Sequence, residues 1–202
     1  LASVRTKVFE TLPTAGLPET LVNWSEFENF MNTLMTAGAI ESIREVWWDI
    51  RPHPGFGTVE LRMCDSLPTM DELIAMTAYM HCVTVWLGRA YDKGKLKPLD
   101  HHWIIRENKW RAARWGLDAN LIIDNHGNQQ TNSDRVYEML NNINEISREL
   151  DCEKELALVK EILHHGTSCQ RQRSIHKKTG KLEPVVDALL EEWNSNKRII
   201  SA

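Results

Sequence analysis

The sequence has no long apolar run and no excess of positive charge. The longest stretch without a charged residue, Leu73 to Gly88, has 16 residues, which is shorter than the roughly 20 apolar residues of a membrane-spanning helix. The 24 Lys and Arg residues face 28 Asp and Glu residues, for a net charge of -4, whereas nucleic-acid-binding proteins usually carry a basic excess. We therefore expect neither a membrane nor a nucleic acid as a partner.

Cysteine is scarce, and no internal repeat or low-complexity tract occurs. The four cysteines, at positions 64, 82, 152 and 169, show no CxxC spacing, which is typical of reduced thiols in a cytoplasmic protein. The chain starts at Leu1 rather than Met and does not open with a signal peptide, so we expect a fragment or a trimmed product.

The remaining composition is that of a globular protein, with 42% hydrophobic and 26% charged residues in 202 positions. We predict one mixed α+β domain over residues 1–202 that is rich in helices toward its C-terminal end. Ser25 and Glu28 predict a capping box, and Thr69 and Glu72 predict another before a helix over 73–87. A hairpin is expected to turn at His126 and Gly127. Further helices are predicted at about 100–115, 132–150, 153–165, 168–178 and 183–194.

The segment from Thr58 to Cys64 alternates apolar and polar residues, which predicts a strand with one apolar and one polar face. Period two places Glu60 and Arg62 on the polar face, with side chains roughly 7 Å apart. Arg51, just upstream, is expected to bring a second guanidinium to that face. The pattern fits a solvated ion pair, and it also fits a site in which Glu60 binds Mg²⁺ and Arg62 binds a phosphate or carboxylate.

The predicted helix near 100–115 is a second candidate site. Asn108, Arg111 and Arg114 fall on one side, while Trp103 and Trp110 fall on the opposite side. This pattern is typical of an amphipathic helix with a solvated basic face, and it also fits a wall that binds anions.

Three other patterns have an ordinary structural explanation beside the functional one. Six of the eight tryptophans lie between positions 47 and 115, and they either exclude water from a site or form part of the core. Cys64 is either a nucleophile or a structural thiol. The third pattern, a zinc site, would use His164, His165 and Cys169, but these residues lack paired-ligand spacing.

The segment WWDIRPHPGFGTVELRMCD closely resembles the bacterial carboxylate–amine ligases of the glutamate–cysteine ligase type 2 family. The resemblance extends through SVRTKVFETLPTAGLP, ENKWRAARWGLDANLI and LHHGTSCQRQR, and covers the chain to about Trp193. It implies a glutamine-synthetase-like fold in which a curved antiparallel sheet holds ATP, metal ions and glutamate. It also implies a reaction in which ATP phosphorylates the side-chain carboxylate of glutamate and an amine, such as cysteine, attacks the acyl phosphate.

The resemblance further implies roles for individual residues. Glu60 matches a glutamate that binds Mg²⁺, and Arg62 matches an arginine that faces the substrate carboxylate or the transferred phosphate. Arg51 resembles an arginine that contacts the nucleotide phosphates, and Arg5 resembles one of the substrate pocket. The family often forms dimers, so a homodimer is an expected assembly.

The chain departs from the family in one respect. Members are about twice as long, and their N-terminal half begins with a Gly-x-Glu-x-Glu strand that supplies further metal carboxylates. Glu191 and Glu192 fall in a predicted helix and do not replace that strand. We therefore expect this chain to be the C-terminal part of the catalytic domain, inactive without the other half. The alternative is a catalytically silent homologue that binds nucleotide or serves in assembly.

Overall fold

The computed structural model describes residues 1–96 and 101–199. The chain divides into two compact units. The N-terminal unit comprises Ser3–Asp65, and the helical unit comprises Leu1–Ala2 together with the chain from Ser66 onward. Within the two described ranges, no helix is both long and apolar enough to cross a bilayer.

Short strands and one long helix make up the N-terminal unit. Its elements are α1 (Arg5–Phe9), β1 (Ala15–Gly16), α2 (Trp24–Thr36), β2 (Trp47–Trp48), β3 (Ile50–His53) and β4 (Thr58–Leu61). Strand β1 pairs in parallel with β2, and β3 pairs antiparallel with β4. The apolar face of α2 packs on the strand region through a core of Phe27, Met31, Ile40, Val46 and Trp48.

Long helices dominate the second unit. They are α3 (Met70–Asp92), α4 (His102–Trp115), α5 (Asn132–Glu149), α6 (Glu153–His165), α7 (Ser168–Thr179) and α8 (Glu183–Ser195). The antiparallel hairpin of β5 (Asn120–Ile122) and β6 (Gln129–Thr131) lies between α4 and α5. Helices α3, α5 and α6 share a core of Ala75, Ala78, Cys82, Leu140, Ile143, Ile146, Leu156 and Val159.

These elements confirm the α+β class and most of the predicted boundaries. The helix at 153–165 has the predicted ends, and the predicted hairpin turns at Gly127, whose positive φ of 85° favours glycine. The curved sheet of a glutamine-synthetase-like fold stays a prediction, because the described strands form three separate pairs. The prediction of one domain over 1–202 likewise stays a prediction.

Three local predictions need correction. The helix expected over 73–87 is longer and extends from Met70 to Asp92. The Ser25 and Glu28 capping box is wrong: the N-cap of α2 is Asn23, two residues before Ser25, and its side chain accepts a hydrogen bond of 3.0 Å from Glu26 N. Either Asn or Ser satisfies a free N–H at a helix start. The strand expected over 58–64 ends at Leu61, and only Arg62 N extends its pairing, to Asp49 O at 2.7 Å.

A buried ion-pair network joins three helices of the helical unit. Arg171 of α7 lies between Glu72 of α3 and Glu192 of α8, and all three residues are at most 5% exposed. Its Nε donates to Glu192 at 2.7 Å, and its Nη1 donates to Glu72 at 2.9 Å. Burial alone would lower the pKa of Arg171, but hydrogen bonds to the two carboxylates raise it above its usual value. The guanidinium therefore stays charged and holds the helices together.

We predict that Arg171→Met destabilises the protein by about 3–5 kcal/mol, because it removes the ion-pair partner of the buried Glu192 and the nearer of two partners of the buried Glu72. The second partner of Glu72 is Arg198, whose Nε lies 3.9 Å from Glu72 Oε1. Urea unfolding followed by circular dichroism at 222 nm measures the loss. Arg89→Met is the matched control, since Arg89 forms a two-pronged pair with Glu149 on an exposed surface, where such pairs contribute little. Equal stability losses in the two variants would contradict the role given to the buried network.

Candidate functional site

The β3–β4 hairpin gathers charged residues of both signs on one face. Arg51 lies directly opposite Glu60 in the register of the pair. The hydrogen bond from Arg62 N to Asp49 O continues that register by one more position. Because side chains alternate along a strand, Asp49, Arg51, Glu60 and Arg62 share a face, with an acid opposite a base in each row. This four-residue set is the charged face of the hairpin.

The other face of the hairpin is apolar, as the alternation predicts, but it is the more exposed of the two. Ile50 pairs with Leu61, and Pro52 pairs with Val59. Val59 is 56% exposed and Ile50 is 41% exposed, whereas Arg51 is buried. Alternation assigns residues to faces, but it does not say which face the rest of the unit covers.

The carboxylate of Glu60 bridges two arginines. Its Oε2 accepts from Arg51 Nε at 3.1 Å and also from Arg51 Nη2, while its Oε1 accepts from Arg62 Nη1 at 2.7 Å. Partial desolvation raises the pKa of Glu60, but the hydrogen bonds and charges of the two arginines outweigh it and lower the pKa overall. The carboxylate is therefore ionised at neutral pH. Its contribution to stability is lost only when the pH falls through that lowered pKa.

Arg51 is 5% exposed, and its guanidinium is occupied by protein groups. Besides Glu60, it binds three backbone carbonyls through Nη1: Ile43 O at 3.0 Å, Arg44 O at 2.9 Å and Val46 O at 3.1 Å. These carbonyls lie in and just after a single 3₁₀ turn, Ile43–Glu45. The contact with the nucleotide phosphates expected for Arg51 during catalysis stays a prediction. Its observed contacts fix Glu60 and anchor that turn to the hairpin.

Arg62 is held through its backbone, while most of its guanidinium is not engaged. Its N–H donates to Asp49 O, and its carbonyl accepts from Arg5 Nη1. Arg5 also lies over the Phe9 ring, with its Cζ 4.7 Å from the centroid. Over the described ranges, the only side-chain hydrogen bond of Arg62 is the one to Glu60, and 24% of its side chain is exposed. Arg62 is therefore the cation of this face that an anion can reach.

Glu60 fits a metal ion as a single ligand but not as a complete site. Its side chain is 40% exposed, so solvent reaches part of it beside the two arginine contacts. No group of three or more His, Cys, Asp or Glu residues that could hold a metal occurs in residues 1–96 and 101–199. A Mg²⁺ ion bound here would need its other oxygen ligands from phosphates, water or another part of the protein.

Asn108, Arg111 and Arg114 lie in the helical unit, on α4. Asn108 brackets the backbone of Ile122: its Nδ2 donates to Ile122 O, and its Oδ1 accepts from Ile122 N, both at 2.8 Å. Arg111 donates to Glu107 Oε1 at 2.8 Å and to Asn120 O at 2.9 Å. The polar side of α4 thus carries the β5–β6 hairpin, and the anion-binding role of these residues stays a prediction.

Arg114 is the exposed member of this set, and its Cζ lies over the rings of Trp110 and Trp115, at 5.7 Å and 5.3 Å from their centroids. Trp103 and Trp110 do not form part of a core, because they are 58% and 39% exposed. Helix α4 buries Ile104 and Ala113 instead. Trp48, in contrast, is a core residue of the N-terminal unit.

One acidic residue of the charged face escaped the sequence analysis. Asp49 is 8% exposed and stands opposite Arg62. The sequence did contain a signal for it, because Asp49 lies two residues before Arg51 and period two puts both on one face.

For Cys64, desolvation and the neighbouring Asp65 raise the pKa of the thiol, which favours a structural thiol over a nucleophile.

Comparison with known proteins identifies the family. A family model described as glutamate-cysteine ligase family 2 matches residues 1–188. A protein of Frankia alni, named as a predicted glutamate–cysteine ligase 2-1, is 48% identical over 202 residues, which is 100% of this chain and 53% of the relative. A Thermobifida fusca protein, named as a predicted glutamate–cysteine ligase 2, is 47% identical over 195 residues, covering 96% of this chain and 49% of the relative.

A third relative, from Mycobacterium ulcerans and named in the same way, is 46% identical over 192 residues, covering 95% of this chain and 49% of its own length. The chain thus spans about half the length of the curated relatives it matches. The match extends across the charged face of the hairpin and across α4. The chain belongs to glutamate–cysteine ligase family 2.

Proposed function

We propose that the protein is an ATP-dependent ligase that joins the side-chain carboxylate of glutamate to an amine, most simply that of cysteine. Family membership supports this assignment, and the observation that carries it is the reachable guanidinium of Arg62 beside the ionised Glu60. In this reaction, the γ-phosphoryl group of ATP passes to the glutamate carboxylate. The amine then attacks the acyl carbon, and inorganic phosphate leaves as the amide forms.

The charged face suits the charge that this reaction develops. Negative charge gathers on the phosphoryl oxygens and on the attacked carboxylate, and fixed cations stabilise it. Arg62 presents a planar fork of N–H donors, which matches two oxygens of a carboxylate or phosphate. Its backbone is held by Asp49 and Arg5, so the guanidinium needs little reorganisation before it meets an anion.

Within this proposal, Glu60 has two tasks. It orients Arg62 through the hydrogen bond at 2.7 Å, and it is one ligand for Mg²⁺, which would neutralise the charge of the ATP phosphates. Arg51 orients Glu60, and Arg5 donates to the carbonyl of Arg62. By the family resemblance, Arg51 is also proposed to contact the nucleotide phosphates during catalysis, and Arg5 is proposed to line the substrate pocket. Asn108, Arg111 and Arg114 are proposed to bind substrate or nucleotide, and the exposed Arg114 is the most accessible of the three.

We expect Arg62→Lys in the full-length protein to lower kcat by at least about 100-fold, because a point charge cannot replace the two-pronged grip. Glutamate-dependent and cysteine-dependent phosphate release measures the effect, and thermal unfolding should show little change. Arg44→Lys is the control, since the Arg44 side chain is exposed and only its carbonyl joins the site. Wild-type turnover by Arg62→Lys would contradict a catalytic role for Arg62.

Glu60→Gln should lower Mg²⁺-dependent turnover on the order of 100-fold, because a neutral amide is a poor Mg²⁺ ligand and a weaker partner for Arg62. It should also lower the thermal midpoint, since Glu60 is the only acidic side chain with a hydrogen bond to the buried Arg51 within the described residues. The turnover rates of the variant and of the unsubstituted protein are therefore compared at a temperature well below the thermal midpoint of the variant. If the rate and its Mg²⁺ dependence are unchanged there, Glu60 is only structural.

We further propose that residues 1–202 alone do not turn over, because their described part has no cluster of three metal ligands. Phosphate release in the presence of ATP, Mg²⁺, glutamate and cysteine should stay at background for this chain and appear for the full-length protein. Measurable ligase turnover by residues 1–202 alone would refute the proposal. If the full-length protein binds ATP by calorimetry but releases no phosphate with any amine, it is a catalytically silent homologue.

A further inference from the structure

Two cysteine thiols from distant parts of the chain meet inside the helical unit. Cys82 Sγ on α3 lies 3.6 Å from Cys152 Sγ, which directly precedes α6. Cys82 is fully buried in the shared core of α3, α5 and α6, whereas Cys152 is half-buried. Cys152 is therefore the more exposed residue of the pair, and Cys82 lies behind it in the core.

The backbone holds Cys152 firmly in this position. It follows Asp151, which adopts a left-handed conformation with φ of 52° and turns the chain between α5 and α6. Cys152 N donates to Ser147 O at 2.9 Å, and Cys152 O accepts from Leu156 N at 2.9 Å. Because both its N–H and its carbonyl are engaged, the backbone of Cys152 stays beside α3, and only χ1 rotation moves its sulfur.

We propose that Cys82 and Cys152 form a redox-active dithiol that is oxidised by small-molecule disulfides. A disulfide has an S–S bond of about 2.05 Å, so the two sulfurs must approach by roughly 1.5 Å. The two sulfurs are already in van der Waals contact at 3.6 Å, and rotation about χ1 of either cysteine moves its sulfur. This site is separate from the charged face of the hairpin and does not depend on the proposed ligase activity.

The reaction proceeds in two exchanges. The Cys152 thiolate attacks one sulfur of the small disulfide, forms a mixed disulfide and releases one small thiolate. The Cys82 sulfur then loses its proton, attacks Cys152 Sγ and releases the second small thiolate. Two protein thiols and one small disulfide thus become one protein disulfide and two small thiols. Burial and the neighbouring Cys152 raise the pKa of Cys82 to about 12, which agrees with Cys152 as the first nucleophile and Cys82 as the resolving thiol.

The test uses the full-length protein and 2-hydroxyethyl disulfide, a small uncharged oxidant. After alkylation of the remaining thiols, peptide mass spectrometry measures the Cys82–Cys152 disulfide and the mixed disulfide on Cys152. We expect the internal disulfide to exceed the mixed one at least about tenfold, because the second thiol is held in contact. Dithiothreitol should reverse the change. The oxidised form should melt higher by roughly 5 °C, since the bond closes a long loop.

Three variants separate this mechanism from simple thiol reactivity. In Cys82→Ala, the mixed disulfide should accumulate on Cys152, whereas in Cys152→Ser, Cys82 should stay unmodified until the protein is unfolded. Cys169→Ser removes another half-buried thiol and should leave the internal disulfide unchanged. A lasting mixed disulfide on Cys152 in the unsubstituted protein, or no reaction at either cysteine, would overturn the proposal. If Cys82→Ala does not fold, the Cys152→Ser variant and the unsubstituted protein still decide.

Discussion

A buried guanidinium determines the arrangement of the N-terminal unit. Arg51 binds three carbonyls of the turn around residues 43–46 and the carboxylate of Glu60, and so joins that turn to both strands of the hairpin. A charge removed from water is tolerated only when its donors are satisfied. The hairpin and the turn therefore keep one geometry, and the orientation of Glu60, and through it that of Arg62, follows from this geometry.

The sequence pattern was a good guide to which residues share a face and a poor guide to their contacts. Period two correctly placed Glu60 and Arg62 side by side, because alternation is a property of the extended backbone itself. It could not show that Arg51 is buried among carbonyls, since tertiary packing brings the turn that carries them beside the hairpin. The same limit explains why the apolar face of Val59 and Ile50 is the more exposed one.

In the helical unit, local sequence signals predicted where the helices lie, but not which of their faces are covered by other elements. Caps such as Thr69 are short-range features, and α3 begins directly after that residue, although it continues five residues beyond the predicted end at 87. The side of α4 with Asn108 and Arg111 looked solvated in sequence, but it carries a hairpin whose backbone groups it satisfies. Hydrogen bonds between a side chain and the backbone of another element leave no periodic pattern in the sequence, so the contact of α4 with the hairpin was not predictable. The meeting of Cys82 and Cys152 was not predictable either, because it joins two segments that are far apart in the chain.

The bridging position of Glu60 restricts the length of the side chain at position 60 as well as its charge. Its two oxygens serve different arginines, Oε2 for Arg51 and Oε1 for Arg62. Aspartate would carry the same charge, but its carboxylate is one methylene closer to the backbone and could not span both guanidinium groups from the same Cα. The length of the side chain at position 60 is therefore constrained as well as its charge. We expect aspartate to replace glutamate at this position only rarely in related proteins.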